Sequence, residues 1–248
     1  MVCILAVQMD KNYSIELVIP VYNEGAILEK NAIKLHDFME KNCKIPWQIT
    51  IFSNGSSDKT LSIGPELHKR YPRIVFKHIP QKGRGYALKQ AWGSSKASIV
   101  GYMDADLSTD LEAFPKCLNA IISGEADIAI GNRLMKESVI ERCFKREVTS
   151  RGWNLLVRMF FPFTSITDAQ CGFKFVRTSL VKKLLPRIKD NKFFLDTEML
   201  MIAEHSGNKI SQIPISWVER KASKVKIIRT ITDYVFRLAG LRFRLWTQ

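Results

Sequence analysis

Two carboxylates two residues apart are the first candidates for chemistry in this chain. Asp104 and Asp106 flank Ala105 and directly follow the apolar run Ile99–Met103. Carboxylates at this spacing in a loop can converge on one hard cation, with phosphate oxygens and water completing the octahedron that Mg²⁺ or Mn²⁺ prefers. The same pattern also occurs in solvated turns and helix caps, and its position after an apolar strand is what favours a metal site.

Two further polar clusters follow apolar runs. Pro20-Val21-Tyr22-Asn23-Glu24 closes the first run and presents an aromatic ring and a carboxylate, and Asn54-Gly55-Ser56-Ser57-Asp58 follows the second. Both clusters also fit ordinary turns that lead into helices, because their acidic and hydroxyl side chains suit the first turn and the N-cap.

Short apolar runs alternate with longer amphipathic stretches through the first half of the chain. This alternation predicts βαβ units, and hence an α/β fold with a mostly parallel sheet and helices on both faces. Ligands of such sheets bind beyond the carboxyl ends of the strands, so we expect the three polar clusters to meet there. The predicted strands are Ile15–Val21, Gln48–Ser53, Ile74–Ile79, Ile99–Met103 and Asp127–Gly131, and the predicted helices are Ala26–Lys41, Thr60–Arg70, Tyr86–Ser95 and Leu111–Ser123.

The composition is that of a folded protein with an acidic partner. The 248 residues are 46% hydrophobic and 25% charged, which fits a single domain spanning 1–248. The formal net charge of +14 predicts binding of phosphate groups, whether in nucleic acid, an anionic membrane or a small substrate. Charge by itself does not choose among these three.

The cysteine pattern and the hydropathy indicate the kind of cellular compartment in which the protein works. The five cysteines are scattered and never form C-x-x-C, which argues against a disulfide framework or a structural zinc site and favours a reducing, cytosolic setting. No run approaches the roughly 20 apolar residues of a membrane-spanning helix. We therefore expect neither a transmembrane anchor nor a cleaved signal peptide.

The ordered motifs resemble the family 2 glycosyltransferases, which use nucleotide sugars and carry P-x-Y-N-E, D-D-G-S-x-D and D-x-D loops after successive strands. The resemblance runs from about Glu16 to Lys226 and points to the branch that acts on polyprenyl phosphates, which includes dolichyl-phosphate mannose synthase and dolichyl-phosphate glucosyltransferase. It implies a Rossmann-like fold of the GT-A type. Further matching motifs are Lys82-Gly83-Arg84-Gly85, Gly131-Asn132-Arg133, Ser150-Arg151-Gly152, Gln170-Cys171-Gly172-Phe173-Lys174 and Asp196-x-Glu198.

The resemblance assigns roles to individual residues. Asp104, Asp106 and Arg133 would be catalytic, and Asp104, Asp106 and Ser108 would hold Mg²⁺ or Mn²⁺. The family usually has two aspartates where this chain has Ser53 and Asn54, which leaves the identity of the base open. The implied nucleotide-sugar site comprises Pro20, Tyr22, Glu24, Phe52, Asn54, Asp104, Ala105, Asp106, Arg133, Arg220 and Lys224.

Arg146, Ser150 and Arg151 resemble the acceptor-phosphate site of the polyprenyl-phosphate branch. Arg146 and Ser150 are four residues apart, which places them on one helical face, and a guanidinium suits a tetrahedral phosphate. A solvated helix face is the alternative interpretation of these arginines.

Two segments have the composition of membrane-interface helices. Residues 136–163 combine basic side chains with an apolar run, and residues 224–247 form a basic amphipathic C-terminal stretch. A core helix is the alternative for the first segment. We expect peripheral attachment to the cytoplasmic face of a membrane.

The predicted reaction is inverting transfer of a hexose from a nucleotide sugar to a polyprenyl or dolichyl phosphate. UDP-glucose is favoured over GDP-mannose because Gln170–Lys174 resembles the glucosyl branch. A transferase acting on a sugar hydroxyl, with Asp168 or Asp196 as base, is the alternative within enzymes. A nucleic-acid-binding protein is the alternative from another class, but the chain has no recognised nucleic-acid-binding motif, so we expect no nucleic-acid partner.

Overall fold

A computed structural model of the protein describes residues 13–220 and 227–247. The strands are β1 (Ile15–Val21), β2 (Trp47–Asn54), β3 (Ile74–Ile79), β4 (Ile99–Met103), β5 (Ile128–Asn132), β6 (Val139–Glu141), β7 (Phe173–Arg177), β8 (Ile210–Pro214) and β9 (Ser216–Val218). The α-helices are α1 (Leu28–Asn42), α2 (Thr60–Arg70), α3 (Arg84–Ser94), α4 (Ala113–Ile122), α5 (Phe144–Phe160), α6 (Thr178–Leu184), α7 (Leu195–His205) and α8 (Ile227–Trp246), and a 3₁₀ helix covers Leu185–Arg187.

Seven strands form one sheet in the order β3-β2-β1-β4-β7-β5-β8. The pairs among β3, β2, β1 and β4 are parallel, as is β5 with β8, whereas β7 runs antiparallel between β4 and β5. The prediction of a mostly parallel α/β sheet is confirmed. The nine predicted elements of the first half agree with the structure to within two residues at each end.

Helices cover both faces of the sheet because side chains alternate along each strand. In β1, Leu17 and Ile19 join the hydrophobic cluster under α1, and Val18 joins the cluster that contains α3 and α7. A shorter parallel pair, β6 with β9, lies beyond the main sheet. Strand β6 of this pair leads the chain from β5 to α5.

The two predicted interface segments contain α5 and α8, which pack together through Trp153 and Tyr234, with ring centroids 4.4 Å apart. The apolar residues of these segments divide between the core and the surface. Val157 and Leu241 are buried in the core. Within the described ranges, none of the helices has the length and apolar character needed to span a bilayer.

Candidate active site

The first two polar loops are joined by hydrogen bonds beyond the ends of β1 and β2. The backbone N–H of Asn23 donates to Ser56 Oγ at 3.1 Å, and the Ser57 N–H donates to Asn23 Oδ1 at 2.8 Å. The Glu24 N–H donates to Thr60 Oγ1 at 3.0 Å. Asn23 has a φ of 53°, a left-handed conformation that asparagine tolerates because its side chain bonds locally. The loops therefore form one rigid edge.

Two predicted nucleotide-binding residues, Phe52 and Asn54, lie beneath this edge. Phe52 packs in the core with Ala87 and Leu88, because its place in β2 turns it inward. Asn54 is also buried, and its Nδ2 donates to the Val21 carbonyl at 2.8 Å while its Oδ1 accepts from the Gly83 N–H at 3.1 Å. The amide of Asn54 thus joins three loops.

Tyr22 is the aromatic group that the edge presents to solvent. It is 43% exposed, and Lys82 Nζ donates to its hydroxyl at 2.7 Å. The Lys82 ammonium also lies 4.7 Å from the centre of the Tyr22 ring. Pro20 precedes Tyr22 at the end of β1 and pairs with Phe52 in register. An exposed ring beside a cation suits a nucleotide base with its phosphates nearby.

The Asp104–Ser108 loop follows β4 at the same edge. The Asp104 side chain is 46% exposed, Asp106 Oδ1 accepts from the Ser108 N–H at 3.0 Å, and the Ala105 carbonyl accepts from Asn31 Nδ2 at 2.8 Å. Leu107 has a φ of 49°, which gives this loop a strained turn between its two polar ends. Partial burial and the charge of Asp106 raise the pKa of the Asp104 carboxyl.

The donor set of this loop fits a hard divalent cation. Asp104 and Asp106 supply carboxylate oxygens, and Ser108 Oγ is buried without a hydrogen-bond partner in the described part of the chain. Within the same ranges, no group of three or more His, Cys, Asp or Glu side chains could hold a metal. A cation held here would therefore take its remaining ligands from substrate phosphate and water.

Arg133 approaches the loop from the end of β5. Its Nε and Nη2 donate to the two carboxylate oxygens of Asp168 at 2.7 and 2.8 Å, and its backbone N–H donates to Asp168 Oδ2 at 3.0 Å. Burial opposes ionisation of Asp168, but the Arg133 charge and these hydrogen bonds lower its pKa to about 2. The pair fixes one edge of the guanidinium and leaves its other N–H groups for an anion.

Strand β9 connects the Asp104–Ser108 loop to the start of α5. Trp217 forms a β-bridge with Thr109, and the Val218 N–H donates to the Ser108 carbonyl at 2.9 Å. Arg133 and Arg146 both lie over the Trp217 ring, at 5.9 and 5.0 Å from its centre. Trp217 therefore brings together two arginines that the sequence assigned to different phosphates, although no motif marked it.

Three arginines in α5 or just before it pair with two glutamates. Arg146 Nη1 lies 3.0 Å from Glu219, and Glu147 pairs with both Arg142 and Arg151. Arg142, which the sequence did not single out, is almost fully buried, and its Nη1 has no hydrogen-bond partner in the described ranges.

Ser150 lies one turn after Arg146 on α5, as predicted. Its Oγ is also buried, and no described residue hydrogen-bonds to it. Hydrogen bonding from Arg142 lowers the pKa of Glu147, and the Cys143 N–H followed by Arg146 lowers that of Glu219.

A buried charge cluster lies behind Asp104. Arg84 donates to Tyr102 Oη at 2.7 Å and to Asp196 at 3.0 Å, and its Nη2 lies 3.9 Å from Asp104. Lys174 Nζ lies 3.1 Å from Asp196, and Tyr102 hydrogen-bonds to the same carboxylate. The sequence motifs contain Arg84 and Lys174, but their spacing does not predict that both contact Asp196.

The last two residues predicted to bind the nucleotide sugar lie at or beyond the end of the first described range. Arg220 is exposed at the end of the first described range, and Lys224 lies outside the described residues. Glu198, which the sequence grouped with Asp196, pairs with Arg244 of α8.

Several large apolar side chains of the C-terminal half are exposed. Those on α5 are four or seven residues apart, which places them on one side of the helix. Phe163 is 95% exposed and Trp246 is 80% exposed. The set comprises Phe144, Val148, Leu155, Met159 and Phe163 in the first segment, and Phe236, Phe243 and Trp246 on α8.

Comparison with known families gives one broad match. Residues 16–185 match the family model described as glycosyl transferase family 2. The matched range contains β1 through α6 and therefore includes the Asp104–Ser108 loop, Arg133 and α5.

Among characterised proteins, the chain is 32% identical over 240 residues to glycosyltransferase AglD of Haloferax volcanii, which covers 94% of this chain and 37% of AglD. It is 29% identical over 239 residues to the dolichyl-phosphate beta-glucosyltransferase of Saccharomyces cerevisiae, covering 89% of this chain and 71% of that protein. The chain thus spans well under half of AglD.

Among solved structures, glucosyl-3-phosphoglycerate synthase from Mycobacterium tuberculosis, in a complex with Mn²⁺, UDP and phosphoglyceric acid, superposes with a TM-score of 0.70 at 15% identity. The match covers 93% of this chain and 78% of that one. The similarity confirms the GT-A-like fold.

Proposed function

Because the chain belongs to glycosyl transferase family 2, we propose that it moves glucose from UDP-glucose to a polyprenyl or dolichyl phosphate. Its relatives in yeast and Trichomonas vaginalis are named dolichyl-phosphate beta-glucosyltransferases, which supports this acceptor and this sugar. The observation that carries the proposal is the shared contact of Arg133 and Arg146 with Trp217, because two guanidinium groups beside one loop of carboxylates would suit a donor diphosphate and an acceptor phosphate.

The donor would lie along the edge formed by the first three polar loops. The exposed Tyr22 ring and Lys82 favour binding of the base at one end, and Asp104 and Asp106 favour the diphosphate at the other. A Mg²⁺ or Mn²⁺ ion held by Asp104, Asp106 and Ser108 would neutralise charge on the diphosphate. The Mn²⁺ and UDP bound by the mycobacterial synthase, which has the same fold, support a metal-assisted nucleoside diphosphate donor.

Arg133 would stabilise the leaving group. Asp168 holds its Nε and Nη2, so the guanidinium cannot rotate and its free edge stays aimed in one direction. A fixed donor costs no reorganisation when negative charge develops on the leaving diphosphate. Arg133 therefore acts as a preorganised electrostatic group.

The acceptor phosphate would bind between Arg146, Arg151 and Ser150, with Arg142 beneath them. Glu147 and Glu219 neutralise these arginines while the acceptor is absent. A phosphate with three oxygens would replace the carboxylates and would also satisfy the buried Ser150 hydroxyl.

The acceptor supplies its own nucleophile. A phosphate monoester has a second pKa of about 6 and is largely ionised at neutral pH, so no side chain has to remove a proton. The carboxylates that would serve as bases for a hydroxyl acceptor are engaged, because Asp168 pairs with Arg133 and Asp196 pairs with Arg84. Direct displacement would invert the anomeric centre and give a β-linked product from an α-linked donor.

The exposed apolar side chains favour peripheral attachment to a membrane. Phe144, Val148, Leu155 and Met159 share one side of α5, and Arg151 and Arg158 are exposed beside them. Phe163 is exposed just beyond the end of the helix. Apolar groups flanked by arginines suit the boundary between acyl chains and anionic headgroups. A polyprenyl phosphate in the cytoplasmic leaflet would then present its phosphate next to Arg151.

The direct test is transfer of radiolabelled sugar into an organic-extractable lipid. Purified protein is incubated with polyprenyl phosphate, Mn²⁺ and either UDP-[¹⁴C]glucose or GDP-[¹⁴C]mannose, with Asp106→Ala as the inactive control. We expect label from UDP-glucose in the lipid phase and none with Asp106→Ala. Label from GDP-mannose alone would contradict the choice of donor, and label on a soluble sugar alone would contradict the lipid acceptor.

A further inference from the structure

Asp104 and Gly172 face each other across the antiparallel pair β4 and β7. The register pairs Met103 with Phe173 and Tyr102 with Lys174, so the next position places Asp104 opposite Gly172. Side chains two apart on a strand share a face. Asp104 therefore projects from the same face as Tyr102, over the backbone of Gly172.

The space above Gly172 is filled by the Asp104 carboxylate. A Cβ added at Gly172 would lie 2.0 Å from Asp104 Oδ2, 2.5 Å from Cγ and 2.8 Å from Oδ1. Gly172 is not among the glycines with positive φ, so its backbone would accept alanine. The obstacle to a side chain at this position is thus the carboxylate itself.

Arg84 limits the carboxylate on another side. Its Nη2 lies 3.9 Å from Asp104 Oδ1, and it is anchored by Tyr102 and Asp196 and by the ring of Phe193, 5.4 Å from its guanidinium carbon. The Arg84 guanidinium attracts the Asp104 carboxylate but is held in place by its other contacts. The carboxylate therefore occupies a space bounded by the backbone of one strand and a fixed guanidinium.

We propose that Gly172 is a positioning residue for the cation site, because its missing side chain lets the Asp104 carboxylate lie flat between β7 and Arg84. The motif Gln170-Cys171-Gly172-Phe173-Lys174 thereby acts on the cation through Asp104. This inference rests on the proposed function, in which Asp104 is a ligand of the cation that accompanies the donor diphosphate.

The test measures Mn²⁺ binding in the presence of UDP by electron paramagnetic resonance of free Mn²⁺, without lipid or sugar transfer. We expect Gly172→Ala to weaken Mn²⁺ binding by about tenfold or more, which is typical for loss of a group that orients a metal ligand. Because Gly172 acts through Asp104, adding Gly172→Ala to Asp104→Ala should change the affinity no further. Additive losses in the double variant would overturn the inference.

Thermal unfolding of the same variants covers the case in which Gly172→Ala folds poorly. Asp104→Ala removes the three atoms that would lie nearest to the new Cβ, so the double variant should regain the stability that Gly172→Ala loses. Gly101→Ala is the matched control, because its Cβ would meet Phe175 in the core at 2.6 Å and Asp104→Ala should not rescue it. Failure of the double variant to recover would also overturn the inference.

The outcomes for the wild-type protein separate this inference from the proposed function. Wild-type binding of Mn²⁺ with UDP, unchanged in a folded Gly172→Ala, would refute the role of Gly172 and leave the proposed function standing. Absence of Mn²⁺ binding in the wild type with UDP present would refute both.

Discussion

Replacing Asp168 by asparagine keeps the shape of the side chain and removes the charge that holds Arg133. Asp168 is fully buried and makes three hydrogen bonds with Arg133, two to the guanidinium and one to the backbone N–H. Asparagine offers one acceptor oxygen in place of two. Asp168→Asn therefore leaves a buried guanidinium without a counterion.

The size of the effect follows from the pKa of Asp168 and from the burial of the pair. The fall of this pKa from 3.8 to about 2 corresponds to about 2 kcal/mol of stability from ionised Asp168 at neutral pH. Breaking a buried pair by removing one partner costs about 3 to 5 kcal/mol. We expect Asp168→Asn to lower the free energy of unfolding by about 3 to 5 kcal/mol, because Arg133 stays charged.

The pH dependence of this loss has a definite sign. The folded-state pKa lies below the unfolded value, so the stabilisation is present above about pH 4 and is lost as the pH falls toward 2. The stability difference between wild type and Asp168→Asn should therefore be constant from pH 5 to 8 and should shrink by about 1 kcal/mol near pH 3.

Urea unfolding followed by tryptophan fluorescence at several pH values measures both quantities. Asp37→Asn is the matched control, because its side chain is 69% exposed and its loss should change stability by no more than about 0.5 kcal/mol. A loss below about 1 kcal/mol for Asp168→Asn at pH 7, or a difference that grows toward acid pH, would refute the account of the pair.

Three further predictions concern the acceptor, the membrane and the donor edge. Arg146→Gln should raise the KM for polyprenyl phosphate by about tenfold and leave the affinity for UDP unchanged, because one charged hydrogen bond contributes about 1.5 to 3 kcal/mol. An equal loss of UDP affinity in calorimetry would contradict the assignment of Arg146 to the acceptor phosphate. Phe163→Ser combined with Phe243→Ser should reduce co-sedimentation with anionic vesicles without changing Tm, because both side chains are exposed; unchanged co-sedimentation would contradict the membrane surface. Asn54→Asp should destabilise the fold by about 1 to 3 kcal/mol because a carboxylate cannot donate to the Val21 carbonyl, and a stability equal to wild type in urea unfolding would contradict that contact.

The sequence predicts the first half of the fold well because its local patterns and its tertiary structure agree. The bounds of β1, α2, β3 and β4 match those expected from apolar runs and turn residues. The antiparallel strand β7 was not predicted, since it carries the buried Lys174, whose charge hides the apolar pattern. The distant Asp196, together with the Cys171 carbonyl, makes that lysine compatible with the core.

The candidate site shows the same division between local and long-range information. Motif order placed Asp104 and Tyr22 at one edge of the sheet, because the ends of parallel strands must meet there. Motif order does not predict that Phe52 points into the core or that the Asn54 amide hydrogen-bonds to neighbouring loops. The sequence does not predict a role for Trp217, because that role depends on two arginines that are distant in sequence.

The central claim is that the sugar is joined to a phosphate oxygen of the lipid. Phosphorus NMR of the extracted lipid, after incubation with UDP-glucose, Mn²⁺ and polyprenyl phosphate, tests it directly. The account predicts that the monoester signal is replaced by a phosphodiester signal in step with UDP release, and that the product is β-linked. UDP release with an unchanged monoester signal and glucose attached to a hydroxyl acceptor would contradict it.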